Sequence, residues 1–232
     1  IYKIAGKYIL IDSLYPDVHN YCSGYRTRSH ISPDLCVKIS QDDIDYERSK
    51  SEAYFSDGWL EISAVHRKIA EAMPKYNTFL IHGSALCVED SAFMFTAPSG
   101  TGKSTHTKLW RDFLGERVIM VNDDKPLVKI HEDYAEIFGT PFCGKEGLNS
   151  DTSAILKAIC ILERAEQNHI TQITFREAYP ELFRQTYRPS DKNILAKILG
   201  LLDSLGQFVK FYRLGCNMNL DAAVLAYNAM KG

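Results

Sequence analysis

The sequence predicts an α/β fold built on a mixed β-sheet, with a small β region at its N-terminus and helices at its C-terminus. Three observations carry it. β-prone segments at Thr78 to His82, Ala85 to Val88 and Ala92 to Thr96 follow one another too closely for the long crossovers that parallel neighbours need. A glycine-rich stretch, Ala97 to Thr105, then joins the apolar run Phe93 to Phe95 to a helix. In the last third, Ile194, Leu195, Ile198, Leu201, Leu202 and Leu205 recur at helical spacing.

Taken in order, Tyr8 to Ile11 and Leu35 to Ile39 read as short strands separated by a polar stretch punctuated by Ser, Gly and Pro. From Leu60 to Met73, apolar Ile62, Val65, Ile69, Ala70 and Met73 predict an amphipathic helix, with Pro74 as its stop. Residues 1–75 are expected to pack on a core formed by 76–232. Glu89-Asp90 marks a turn, and the strand bearing His82 is expected beside the strand that feeds the glycine-rich loop. After the helix that starts near Lys103, strands are predicted at Val118 to Val121, Leu127 to Ile130 and Ala135 to Phe138. The glycine-punctuated loop Gly139 to Ser150 leads to a long apolar strand, Ile155 to Leu162. The last third is mostly helical: Ser190 or Asp191 caps one helix, Asn219 caps another ending near Met230, and Val209 to Leu214 is a strand between them.

With 232 residues and 45% hydrophobic composition, the chain can bury a sizeable core. Its 27 basic and 29 acidic residues leave a net charge of −2, which excludes a general electrostatic footprint for nucleic acid. No apolar run reaches the roughly 18 residues that a membrane span requires, and the N-terminal layout is not that of a signal peptide, so a cytoplasmic protein without membrane partners is expected. The six cysteines lack Cys-x-x-Cys pairing, and Cys36, Cys87 and Cys160 lie in apolar runs, which predicts buried free thiols. The seven histidines have no zinc-type spacing.

The stretch Ser99-Gly100-Thr101-Gly102-Lys103-Ser104-Thr105 reads as a Walker A phosphate loop. Successive backbone N–H groups there form an anion nest, and the helix N-terminus adds a positive dipole. Lys103 would reach the outer phosphates and Ser104 would ligate Mg²⁺. Ala97 stands where the pattern has its first glycine. A plain small-residue turn into a helix would leave Gly-Lys-Ser-Thr unexplained.

About twenty residues beyond Lys103, Asp123 and Asp124 follow an apolar strand, as a Walker B element does. One carboxylate could support the metal while the other deprotonates an acceptor hydroxyl. Taken alone, Asn122-Asp123-Asp124 is also an ordinary turn sequence. His82 is either a satisfied structural histidine or a site residue. Lys145 and Glu146 in the 139–150 loop suit a mobile closing element or a surface connection, and Arg184 and Arg188 are phosphate-clamp candidates or solvated helix-end cations.

The order His82-Gly83, Ser99-Gly100-Thr101-Gly102-Lys103-Ser104-Thr105 and Asn122-Asp123-Asp124 resembles the HPr kinase and phosphoenolpyruvate carboxykinase superfamily, over about residues 78–220. The chain looks especially like short HPr-kinase-like proteins, some associated with peptide modification. The resemblance implies the mixed-sheet P-loop fold of the HPr kinase C-terminal domain and of the carboxykinases, with ATP and Mg²⁺ as cofactors. It further implies that Lys103 and Ser104 bind phosphates and metal, that Asp123 activates the acceptor, that Asp124 supports Mg²⁺, and that His82 belongs to the site. Full HPr kinases have a different N-terminal domain and a different glycine-rich signature after the Asp-Asp pair, so HPr is not carried over as the substrate. A true carboxykinase is far longer. Kinases of this family form symmetric oligomers, which makes a homo-oligomer an expectation.

The leading expectation is an ATP-dependent kinase acting on a hydroxyl of a protein, a peptide or a small metabolite. A nucleotide-sensing binding module and an ATP hydrolase are the alternatives, and Asp123 weighs against the sensor because a sensor needs no acceptor base.

Overall fold

The computed structural model describes residues 1–27 and 31–232; residues 28–30, within the polar stretch between the first predicted strands, lie outside the described residues. The N-terminal part is a three-stranded sheet of β1 (Tyr2–Ile4), β2 (Lys7–Asp12) and β3 (Leu35–Lys38), in which β1 and β2 are antiparallel and β2 and β3 parallel. Helices α1 (Asp17–Tyr21), α2 (Gln41–Lys50) and α3 (Asp57–Ala72) complete it. The apolar face of α3, with Leu60, Val65 and Ile69, joins Ile4, Ile9 and Val37 in one core that also takes in Leu80, Leu127 and Phe142 of the main sheet.

The main sheet has nine strands: β4 (Thr78–Leu80), β5 (Ser84–Val88), β6 (Ser91–Thr96), β7 (Val118–Asn122), β8 (Leu127–Ile130), β9 (Ala135–Phe138), β10 (Ser153–Arg164), β11 (His169–Ile173) and β12 (Lys210–Cys216). Its order is β4-β8-β9-β10-β6-β5-β7, with β12 and then β11 branching from β10. The branch follows from the 12-residue length of β10. Its first residues pair antiparallel with β9, whereas Ala158 to Arg164 run parallel to β12. On its other side β10 is parallel to β6. Three parallel strands therefore send their carboxyl ends toward one rim of the sheet, where open α/β sheets bind ligands.

Helices cover both faces. On one face α4 (Lys103–Leu114) and α7 (Leu220–Met230) enclose the fully buried Trp110 with Phe93, Phe95, Ala226 and Met230. On the other, α5 (Phe175–Gln185) and α6 (Lys192–Leu205) bury Leu182, Ile198 and Leu202 against Met94, Ile159 and Phe211. The Asp191 carboxylate caps α6 by accepting from the N–H groups of Asn193 and Ile194. Asn219 precedes α7 as expected, but its side chain makes no capping hydrogen bond.

Several elements depart from the sequence expectation. β4 pairs antiparallel with β8 at the end of the strand order rather than with β6. The loop-bearing β6 instead has β5 and β10 as neighbours. Polar α2 buries only Ile44 and is held by ion pairs: Arg67 bonds Glu47 at 2.6 Å and Asp43 at 3.2 Å. Helix α5 contains Pro180, which disguises it in sequence, and it begins with a Thr174–Glu177 capping box. Cys36 is exposed on the outward side of β3, whereas Cys22, Cys87 and Cys160 are buried, and all six cysteines are free. Among the described residues, no helix is long and apolar enough to cross a membrane.

Glu61, fully buried in α3, accepts hydrogen bonds from the backbone N–H groups of Leu14 at 2.5 Å and Tyr15 at 2.9 Å. This fastens the turn after β2 to the helix. A Glu61→Ala variant, which strands both donors, is expected to lose about 2–4 kcal/mol of stability, read as a lower urea midpoint at unchanged slope.

Candidate functional site

Strand β6 ends at Thr96 and the chain turns through Ala97 to Gly102 into α4. Gly100 and Gly102 have φ of +77° and +122°, and no heavy atom lies within 4 Å of where their Cβ atoms would be. Backbone shape, not crowding, thus requires glycine at both positions. Ala97 has no such demand: its methyl is fully buried beside Phe95 and Trp110, which accounts for alanine at that position of the pattern.

The Lys103 side chain folds back along the loop, its Nζ donating to the Ala97 carbonyl at 2.9 Å and reaching the Pro98 carbonyl at 3.5 Å. Burial pushes its pKa down, while the charges of Asp124 and Glu181 act in the opposite direction. Ser104 is half-buried, and among the described residues its hydroxyl has no partner; Ser99 and Thr105 are exposed. Arg164, at the end of β10, secures the loop from outside, donating to the carbonyls of Gly100 at 2.6 Å and Thr101 at 3.4 Å.

The carboxylate turn at the end of β7 is organised by Asn122. Its buried amide donates to the Thr140 carbonyl at 3.0 Å, the Thr140 hydroxyl at 3.1 Å and the Phe142 carbonyl at 3.2 Å. Its Oδ1 accepts from the N–H groups of Asp124 at 2.8 Å and Lys125 at 2.6 Å. Asp123 is 5% exposed, and Gly144 N–H donates to its Oδ1 at 2.6 Å. Burial raises its pKa; backbone hydrogen bonds from Gly144 and Leu148 oppose the rise and the Asp124 charge adds to it.

Asp124 shifts the other way. Burial acts against its charged form, but the His82 hydrogen bond and the Lys125 ammonium together hold its pKa at about 2. His82 Nε2 lies 3.0 Å from Asp124 Oδ1, and Lys125 Nζ lies 3.3 Å from Oδ2. His82 is braced from three sides. Its Nδ1 lies 2.6 Å from Gln185 Oε1, its N–H donates to the Gln185 carbonyl at 2.8 Å, and its carbonyl accepts from the Thr96 hydroxyl at 2.8 Å. The last bond links it to the end of β6 without any β4–β6 pairing. Gln185 is in turn held by Glu181 through a 2.8 Å bond.

The remaining candidates lie elsewhere. Arg184 pairs with Glu181 at 2.8 Å, and Arg188 donates to the Phe183 carbonyl at the end of α5, so both serve the helix end rather than the loop. Lys145 is exposed, and Glu146 approaches Arg111 of α4 at 3.5 Å. Asn122, Gln185 and Arg164 were missed by sequence reasoning. Asn122 carried a usable signal, an amide between an apolar run and an Asp-Asp pair; Gln185 and Arg164 carried none, since their roles arise from distant chain segments meeting.

Among the described residues there is no cluster of three or more His, Cys, Asp or Glu side chains suited to a metal ion. A divalent ion bound by one hydroxyl, one carboxylate and phosphate oxygens needs no such cluster. The unpartnered Ser104 hydroxyl and the strongly acidic Asp124 fit that donor set. Two clefts stand out. The larger, about 880 Å³, lies between Lys129 to Tyr134 and α6 and shares no residue with the loop. The second, about 690 Å³, has Gly100 to Gly102 in its wall.

No protein-family model and no curated protein matches the chain. Among solved structures it is similar to the HPr(Ser) kinase/phosphatase of Coxiella burnetii, at 11% sequence identity and a TM-score of 0.37, covering 66% of this chain and 99% of that one. So distant a likeness carries no weight for activity.

Asp124 is ionised more readily in the folded chain than in the unfolded one. Its contribution is therefore present above the unfolded value of 3.8 and is lost as pH falls through about 2. The shift corresponds to about 2 kcal/mol. Wild-type stability measured by denaturant titration is expected to fall between pH 4 and pH 2 more steeply than that of Asp124→Asn.

Proposed function

We propose that this chain is a phosphotransferase that moves the terminal phosphoryl group of ATP to a hydroxyl of a protein, a peptide or a small metabolite. The observation that carries the reading is the divergence of two adjacent carboxylates: Asp123 shifted up by burial, Asp124 held at about 2 by His82 and Lys125. Neighbouring acids driven apart in this way are suited to separate acid–base roles.

Phosphoryl transfer calls for positioning and charge stabilisation more than covalent chemistry from the protein. The nest of N–H groups at Gly100 to Ser104 and the N-terminus of α4 would hold phosphates. Lys103 would exchange the Ala97 carbonyl for phosphate oxygens and offset charge on the transferring group. Ser104 and Asp124 would hold Mg²⁺, which supplies further neutralisation of phosphate charge when bound. Asp123 would take the proton of the acceptor hydroxyl as its oxygen bonds to phosphorus and the bond to the leaving ADP oxygen breaks. The upward shift that burial gives Asp123 makes it a stronger base than an ordinary carboxylate. The His82–Gln185–Glu181 chain would keep Asp124 directed and ionised.

Asp123→Asn is expected to retain ATP binding and lose phosphoryl transfer by about 10²- to 10⁴-fold, measured with labelled ATP, Mg²⁺ and Ser- or Thr-containing peptides and small alcohols as acceptors. Transfer at the wild-type rate would remove Asp123 from the chemistry. Lys103→Met is expected to weaken triphosphate binding and abolish transfer at any attainable ATP concentration, checked by calorimetry beside the transfer assay. Phosphate release at the same rate with and without acceptors would replace the kinase reading by hydrolysis.

A further inference from the structure

The 690 Å³ cleft beside the phosphate loop extends from Thr105, His106 and Leu109 of α4 to the turns after β10 and β12. Its volume is within the range of small-molecule sites. Leu109, Ala165, Cys216 and Met218 give it apolar wall, and Met218 is 78% exposed at its mouth.

The polar groups of the cleft are largely committed to the protein. Asn217 Nδ2 donates to the Glu166 carbonyl at 2.9 Å, and its Oδ1 accepts from Asn219 N–H at 3.0 Å, which ties the two turns together. The N–H of Ala165 goes to the Cys216 carbonyl and that of Asn217 to Asn168 Oδ1. Arg164 commits its Nε and Nη2 to the loop carbonyls. Trp110 Nε1–H can only donate, and it does so to His106 Nε2 at 3.0 Å, which places the His106 proton on Nδ1. That Nδ1 is enclosed and without a partner. The Glu166 carboxylate accepts only, and both purines offer it donors.

A site discriminates strongly between two bases when its own polar groups would be stranded by the wrong one; apolar contact alone discriminates weakly. We infer that this cleft takes the nucleoside of the bound triphosphate by shape and apolar contact without reading the base edge, so that ATP and GTP bind alike. The inference rests on the nucleotide reading above and adds to it the breadth of the donor.

Equilibrium binding of ATP, GTP and inorganic tripolyphosphate to the full chain, measured by calorimetry with Mg²⁺, tests it. ATP and GTP are expected within about threefold of each other, and tripolyphosphate about tenfold weaker for want of the cleft contacts. Met218→Ala, at an exposed position, is expected to weaken ATP and GTP by the same factor of about two to five and to leave tripolyphosphate unchanged. A preference above about thirtyfold for either purine, or a Met218→Ala effect on one nucleotide alone, overturns the inference and leaves the phosphotransferase reading intact. Tripolyphosphate binding as tightly as ATP likewise removes the nucleoside from the cleft. Absence of binding by all three overturns both.

Discussion

The buried side chain of Asn122 is the fixed point on which the candidate site depends. Its amide group engages the 140–142 segment, and its Oδ1 receives two consecutive backbone N–H groups of the carboxylate turn. An amide oxygen has two lone pairs, and both are used. The turn therefore has little freedom to rotate, and Asp123 and Asp124 inherit fixed and different surroundings. One meets the backbone of the 144–148 loop and the other the imidazole of His82. Aspartate at position 122 would present acceptors where the protein needs donors toward Thr140 and Phe142, so the chemically similar residue is not an equivalent one.

Electrostatics in the site follow from that rigidity. The Asp124 and Glu181 carboxylates both favour the charged Lys103 ammonium, while Glu181 also holds Gln185 and Arg184. A cation and carboxylates fixed in partial burial keep more of their mutual energy than mobile ones in water. His66, whose ring lies 4.5 Å from that of Phe142 at a 41° tilt, lies behind this group; burial drives its pKa down to about 3, and the nearby Lys125 charge adds to the fall. It is thus neutral across the working pH range and contributes packing, not charge.

The parts of the fold visible in the sequence were those with a local physical cause. Glycines at 100 and 102 report a backbone requirement, Asp191 reports a helix cap, and the alternation of short apolar runs before residue 97 reports closely joined strands. Elements held by distant partners were not visible. Helix α2 depends on Arg67, β11 is a polar edge strand whose partner lies some forty residues on, and α5 hides behind Pro180. The pairing of β4 with β8 rather than β6 is a matter of topology, which neighbouring residues do not encode. In the site the same division holds: Lys103, Asp123 and Asp124 announce themselves by spacing, whereas the Gln185 brace and the Arg164 latch exist only after the chain has folded.

The bond from Lys103 to the Ala97 carbonyl closes the loop on its own side chain. A buried ammonium without an acceptor would be costly, and the loop's own backbone supplies one. In the phosphate-binding role proposed above, the lysine would exchange one oxygen partner for another, so that binding would begin from a satisfied ammonium and would have to outcompete a bond already made.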